Sequence, residues 1–352
     1  MIPLVSIITP LFNRQELIKA TANSVLEQEY ANWEWIIVDD GSTDNSLQVI
    51  QEYQKKDDRI KVYQRNRLPK GASTCRNIGV ENAEGKYVMF LDSDDCLLPH
   101  CLKQRTQIAL EHPNMDFWIF QNLLKDESDT ASMKLWNIVT EEETFTRFLK
   151  HDALWVTGSP LYNRDFIKLY PFDESLPSWQ DYELHVRILL DNPKFEIFYH
   201  LPPDLIVFTH TEKDRISIKL KSMEHLNIHT KVLEGFWNTL RKTKEHKKYQ
   251  NIFLKRFFGQ AEYLWDVVKN RSEAKKTIAI IKKHNLTSDF TYKRIKMYYL
   301  LKYWVHFGKM PAFMRDSLRK FTFKKVLPKE LQQRFPILIG KIDYNPKDYP
   351  QT

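Results

Sequence analysis

Apolar and polar positions along the first half of the chain switch repeatedly between the period of a strand and that of a helix. Leu4 to Thr9 is an apolar, β-branched run that stops at Pro10. Phe12, Asn13 and Arg14 then open a helical pattern carried by Leu17, Ile18, Ala22 and Val25. Trp33 to Val38 repeats the strand and runs into Asp39-Asp40-Gly41-Ser42-Thr43-Asp44, after which Leu47, Val49, Ile50 and Tyr53 mark a second helix. Ile60 to Gln64 reads as a short third strand, and Lys70 to Gly79 leads into another short helix. Tyr87 to Leu91 is apolar throughout, which suits a strand buried on both faces of a parallel sheet. Strand and helix in alternation predict an α/β fold with right-handed crossovers.

Further along, the pattern predicts a helix over Pro99 to Glu111, a strand over Phe117 to Gln121, an exposed loop over Lys125 to Ser132 and a helix over Glu141 to Lys150. Thr157-Gly158-Ser159-Pro160 breaks it near a surface suited to an acceptor. Pro171 to Leu184 enters a helix whose apolar face is Leu184, Val186, Ile188 and Leu189, leaving Asp181 in its first turn, where the helix dipole also favours a carboxylate. Phe195 to His200 and Leu205 to His210 read as closing strands.

The chemistry gathers where the strands end. Pro10 to Arg14, Asp39 to Asp44 and Asp92 to Asp95 all follow strands, and open α/β sheets bind ligands at that edge. Asp92, Asp94 and Asp95 repel one another unless a cation sits among them, which points to a hard divalent metal shared with phosphates. An acidic turn capping the helix near Pro99 is the competing explanation. Asp39 can accept from a base N–H or a ribose hydroxyl, or can cap the next helix as Asp44 can. Arg76 can neutralise phosphate or pair with one of the aspartates. No Gly-x-Gly-x-x-Gly follows the first strand and no Gly-Lys-Ser/Thr loop occurs, so dinucleotide and ATPase readings lose their main support.

Taken together, Ser6 to Asn13, Val38 to Asp44, Gly71 to Gly79 and Phe90 to Asp95 resemble the family 2 glycosyltransferases of the GT-A fold, over residues 1 to about 215. The resemblance implies a Rossmann-like, mostly parallel sheet with flanking helices, and a nucleotide-sugar donor used with Mg2+ or Mn2+. It implies that Asp39 and Arg76 help hold the nucleotide, that Pro10 and Phe12 line its pocket, and that Asp92 and Asp94 form the Asp-x-Asp pair with Asp94 the direct metal ligand. Sugar transfer to a hydroxyl needs a carboxylate to take the acceptor proton, a role that falls to Asp181. The family usually has Glu-Asp here, and this chain has Gln180 before the aspartate. An Arg-x-His after the last strand is also usual; Phe208 replaces the arginine, leaving His210 as the matching candidate ligand.

Charge divides the 352 residues differently. Residues 216 to 352 hold 30 Lys and Arg against 11 Asp and Glu, a balance of +19, whereas residues 1 to 215 stand at −11. From about Ser217 the pattern is helical, over Leu226 to Leu240, Ile252 to Val268, Ala274 to His284 and Thr291 to Phe307, so 216–352 is expected to be a basic helical region. Residues 291 to 325 interleave ten Lys or Arg with Tyr292, Tyr298, Tyr299, Tyr303, Trp304, Phe307, Phe313, Phe321 and Phe323. Such a stretch suits an anionic membrane interface, a packed aromatic core or, with least support from the upstream motifs, single-stranded nucleic acid; no nucleic acid is expected. Pro350 and its neighbours read as a disordered tail.

No run reaches the roughly 18 apolar residues of a membrane span, and the start lacks a basic, cleavable leader. Cys75, Cys96 and Cys101 form no zinc-ligand spacing and fit a reducing compartment. The expectation is therefore a cytoplasmic enzyme, peripheral on the inner face of the cell membrane. It would be an inverting glycosyltransferase passing a sugar, from a UDP-sugar by preference, to a hydroxyl of a polysaccharide or lipid-linked glycan. The rival is a non-catalytic membrane- or nucleic-acid-binding protein on the same scaffold.

Overall fold

A computed structural model describes residues 2–126, 132–209, 223–307 and 312–349. The chain forms two compact units, Met1–Ile218 with Leu338–Thr352, and Lys219–Ile337. The first begins β1 (Val5–Leu11), α1 (Ile18–Leu26), β2 (Trp33–Asp39), α2 (Ser46–Gln54), β3 (Ile60–Gln64), α3 (Ala72–Asn82), β4 (Tyr87–Phe90), β5 (Cys96–Leu97) and α4 (Cys101–Glu111). It continues β6 (Phe117–Ile119), β7 (Asn122–Asp126), β8 (Met133–Leu135), α5 (Thr144–Leu149), β9 (Pro160–Asn163), α6 (Arg164–Ile167), α7 (Gln180–Leu190), β10 (Phe195–Ile197) and β11 (Leu205–Thr209). β12 (Ile342–Asp343) comes from the far end of the chain.

Seven strands make the main sheet, in the order β10-β6-β9-β4-β1-β2-β3. β4, β1, β2 and β3 run parallel, and β9 is antiparallel to both of its neighbours. β1, β2 and β4 are buried on both faces, apart from partly exposed Pro10, as their largely apolar runs require. Register brings Leu11 opposite Asp39 and Ile8 opposite Phe90, so the polar loops after these strands open side by side. α3 lies close on β1 because Gly79 has no side chain; a Cβ there would stand 2.3 Å from the Ile8 Cγ2. Nearly all of this helix is buried, Arg76 included.

A second sheet, β12-β8-β7-β11-β5, was not legible as such in the sequence. Lys125 and Asp126, expected in a loop, are the end of β7 and pair with β11 and β8. The expected division at residue 216 is also incomplete, because residues from 338 on rejoin the first unit: β12 pairs with β8, and the Leu338 N–H donates to Asp152 at 2.9 Å. Pro350 itself lies outside the described residues.

The second unit is helical: α8 (Met223–Leu240), α9 (His246–Asp266), α10 (Arg271–Lys283), α11 (Asp289–Phe307) and α12 (Ala312–Phe321), followed by one π turn over Thr322–Val326. The aromatics of 291–325 divide by residue: Tyr298 and Tyr299 pack in the core, whereas Tyr303, Trp304, Phe313, Phe321 and Phe323 are exposed.

Buried ion pairs tie the loops of the first unit to its core. Arg105 on α4 grips Asp204, just before β11, through two bonds of 2.8 and 2.7 Å and gives a third to the Gly158 carbonyl at 2.8 Å; both side chains are fully buried. Removing one partner strands the other as an uncompensated charge. Asp204→Ala is accordingly expected to destabilise the protein by roughly 3–5 kcal/mol in urea unfolding, and a loss under about 1 kcal/mol contradicts the assignment.

Candidate active site

Each side chain of the site is carried by a strand end or by a helix braced against one. The loop after β1 and the loop after β2 are sewn together: the Asn13 N–H donates to Ser42 Oγ, the Thr43 N–H to Asn13 Oδ1, the Arg14 N–H to Ser46 Oγ and the Gln15 N–H to Asp44. Asn13 takes a positive φ of 49° to do so, a conformation asparagine tolerates better than most residues. Asp44 also accepts from Ser46, so it caps the start of α2 as its second reading predicted. Burial pushes the Asp44 carboxyl up, but these hydrogen bonds outweigh it and hold the group below its ordinary range.

Asp39, 2% exposed, accepts from the Gly41 and Ser42 N–H groups at 3.0 and 3.1 Å. Gly41 makes that turn at a φ of +81°. Asp40, which sequence reasoning passed over, accepts from Arg65 at 2.6 Å and from the Gly71 N–H at 3.2 Å, joining this loop to the start of α3. Pro10 lies in β1 opposite Val38, and Phe12 stands partly exposed with the Lys70 ammonium 3.4 Å from its ring centre. Pro10, Phe12 and Asp39 therefore line adjoining strand ends.

Arg76 is the junction on the other side. Its guanidinium donates to Asp92 at 2.6 Å and to Gln180 Oε1 at 3.3 Å, lies over the Phe172 ring, and has a buried Nε with no hydrogen-bond partner. Gln180 in turn donates to the Leu176 carbonyl. The sequence offered Arg76 either a phosphate or an aspartate, and the aspartate partner is Asp92. The three acids after β4 take different places. Asp92 remains well exposed, Asp94 stands 3.7 Å from Arg14, and Asp95 accepts from the Phe208 N–H, bracing β11. Arg14 was missed because nothing in the spacing of residues 14 and 94 announces an ion pair.

Asp181 heads α7 directly after Gln180 and accepts from the Tyr182 N–H at 2.8 Å. Although its side chain keeps an opening to solvent, close packing raises its pKa; the Tyr182 N–H and the Arg76 charge oppose the rise and the Asp92 charge adds to it. The residue before this helix, Trp179, sits at φ +60° with its ring against His151 and Tyr182. One turn along, buried His185 is driven down to about 3, first by burial and then by Arg76, so it is neutral at physiological pH. The structure thus joins Arg76, Asp92, Gln180 and Asp181 on one side and Pro10, Phe12 and Asp39 on the other, with Asp94 and Arg14 forming a separate ion pair. His210 lies outside the described residues.

Asp92 and Asp94 offer hard oxygen donors at a strand end, which fits Mg2+ or Mn2+, cations commonly held by one or two carboxylates plus substrate phosphates. Among the described residues no three His, Cys, Asp or Glu side chains converge as a ready-made metal cage. A donor's phosphates would therefore complete such a site.

The family model of Glycosyl transferase family 2 matches residues 6–168. The chain is 33% identical over 189 residues to an Escherichia coli protein named UDP-Glc:alpha-D-GlcNAc-diphosphoundecaprenol beta-1,3-glucosyltransferase WfgD, covering 54% of this chain and 71% of that one. It is 44% identical over 109 residues to a Bacillus subtilis glycosyltransferase, TuaG, named for teichuronic acid biosynthesis; the match covers 31% of this chain and spans 43% of that relative's length. In structure it resembles S. aureus TarS 1–349, solved with UDP-GlcNAc, at a TM-score of 0.64 and 20% identity over 90% of each chain, a likeness of fold. The chain belongs to glycosyl transferase family 2 and has the GT-A fold.

Proposed function

We propose that the protein transfers a sugar from a nucleotide-sugar, a UDP-sugar by preference, to a hydroxyl of a lipid-linked or polymeric cell-surface glycan, with inversion at the transferred carbon. The observation that carries this reading is the Arg76 junction, which sets a carboxylate of raised pKa, Asp181, beside a cation suited to a diphosphate, Arg76, and a carboxylate, Asp92, that could share a metal with it. The names of WfgD and of the TarS complex supply the uridine donors, and that of WfgD the lipid-linked acceptor.

In this mechanism Pro10, Phe12 and Asp39 hold the base and ribose, and Lys70 stacked on Phe12 brings a positive charge to the same pocket. Asp181 takes the proton of the acceptor hydroxyl as its oxygen attacks the sugar carbon from the face opposite the diphosphate. Arg76 steadies the departing negative charge, sharing its guanidinium with Asp92. Mg2+ or Mn2+ held by Asp94 and Asp92 would neutralise the donor's phosphates. Gln180 in place of an acid leaves Asp92 as the one carboxylate hydrogen-bonded to Arg76 among the described residues, so Arg76 keeps more of its charge for the leaving group.

We also place the enzyme at a membrane surface. Among the described residues no helix is long and apolar enough to cross a membrane. α11 nevertheless exposes Phe290, Met297, Leu300 and Trp304 along one side, with exposed Lys293 and Lys296 among them, the arrangement of an interfacial helix on anionic lipid.

Metal-dependent release of nucleoside diphosphate across a set of nucleotide sugars tests the activity. Asp181→Asn should keep donor binding while transfer falls roughly 100-fold or more, and Asp94→Ala should remove the metal dependence of donor binding in calorimetry. Because protonated Asp181 is inert as a base and its pKa is raised, transfer should fall on acidification at a pH above the ordinary aspartate range, with this limb absent from the residual activity of Asp181→Asn. Near-normal transfer by that variant assigns the base elsewhere, and donor binding without any turnover leaves a non-catalytic binding protein. For the membrane, the protein should pellet with anionic vesicles and release partly in high salt, each cation near the surface contributing about 1 kcal/mol before screening. Phe290→Ser with Trp304→Ser should weaken pelleting; indifference to anionic vesicles at low salt contradicts the reading.

A further inference from the structure

The helical unit holds a half-open cavity of about 960 Å3, at the upper end of the roughly 300–1,000 Å3 of ligand sites. α9, the loop after it with the start of α10, α11, α12 and the π turn build its walls. Three kinds of group meet there. Phe323 supplies an exposed aromatic face, above a floor that includes the buried rings of Trp265 and Tyr298. Glu262, Asp266 and Asp316 supply acceptors, the first two held in place by Lys302 at 2.9 and 2.8 Å and the first also by the Tyr298 hydroxyl. Cations are in surplus: Lys269, Arg319, Lys320 and Lys324 also line the cavity, and among the described residues none of these four forms an ion pair.

Uncompensated like charge around a concavity costs free energy that a matching ligand recovers, because walls of low dielectric concentrate the field. The mixture narrows the ligand. A single-stranded DNA brings a phosphate at every nucleotide but no free sugar hydroxyls along its chain to donate to the three carboxylates, and a flat lipid surface cannot enter a concave site. Sugar rings stack their C–H faces on aromatic side chains and give hydroxyl donors to carboxylates, while an acidic group on the sugar meets the lysines and Arg319. We propose that this cavity is a binding site for an anionic saccharide, one bearing carboxylate or phosphate groups, separate from the nucleotide-sugar site and built entirely from residues of the helical unit.

Calorimetry on the full chain tests this with tetragalacturonate, neutral maltotetraose and a single-stranded oligonucleotide, and vesicle pelleting supplies the lipid arm. Tetragalacturonate should bind at low salt at least roughly tenfold tighter than maltotetraose, with affinity falling as salt rises. The exposed triple variant Arg319→Gln, Lys320→Gln, Lys324→Gln should lose roughly tenfold. Phe323→Ser should weaken binding several-fold while preserving its salt dependence, which separates stacking from charge. Equal affinity for the two saccharides overturns the proposal. So does tighter binding of the oligonucleotide, or a triple variant that loses vesicle pelleting while tetragalacturonate binds neither protein.

Discussion

The guanidinium of Arg76 is the constraint around which the candidate site is organised. A positive charge only 6% exposed must be compensated, and here the compensation reaches two separate pieces of chain, Asp92 after β4 and Gln180 at the start of α7. Each contact fixes something beyond itself. Asp92 is kept at the strand end, and the first turn of α7 is drawn in so that Asp181 comes under the influence of both charges. The neighbouring Asn77 repeats the bracing by exchanging hydrogen bonds with both backbone groups of Phe172, so α3 holds the whole segment leading to α7. Such a helix can lie deep only because its side toward β1 is stripped to Gly79.

The other half of the site depends less on charge than on backbone register. Parallel pairing sets Leu11 beside Asp39, and the Asp40 N–H closes onto the Leu11 carbonyl at 2.8 Å. A shift of one residue would turn Asp39 to the opposite face and take its carboxylate out of the 41–42 turn. The two halves therefore rest on different physics, one on a buried cation and the other on hydrogen-bonded strands, and they meet because β1 lies between β2 and β4.

Much of this was readable in the amino-acid order because β1, β2 and β4 are buried on both faces and announce themselves as largely apolar runs; β3, half-buried, was also located to the residue. The strand-end position of Asp39, Asp92 and Asp94 followed from the same pattern. What stayed hidden was whatever depends on distant partners. Short strands such as β5 and β12, two residues each, have no periodicity of their own and exist through their neighbours. Charged Lys125 and Asp126 looked like a loop because β7 leaves its burial toward that end. The choice of Asp92 over Asp94 by Arg76, and of Asp94 by Arg14, is geometric and leaves no trace in spacing. In the helical half, composition could not tell buried Tyr298 and Tyr299 from exposed Trp304 and Phe313, since α11 is apolar on more than one side.

The return of residues 338 onward to the first unit changes what kind of object the helical unit is. It is an insertion, tethered at both ends, rather than an appendage hanging from one. The cost of closing so long a loop grows only slowly with its length, so β12 can hold the second connection at modest entropic expense. A stop codon within the helical unit would therefore also strip an edge strand from the second sheet, whose pairing partner β8 lies more than two hundred residues earlier in the chain.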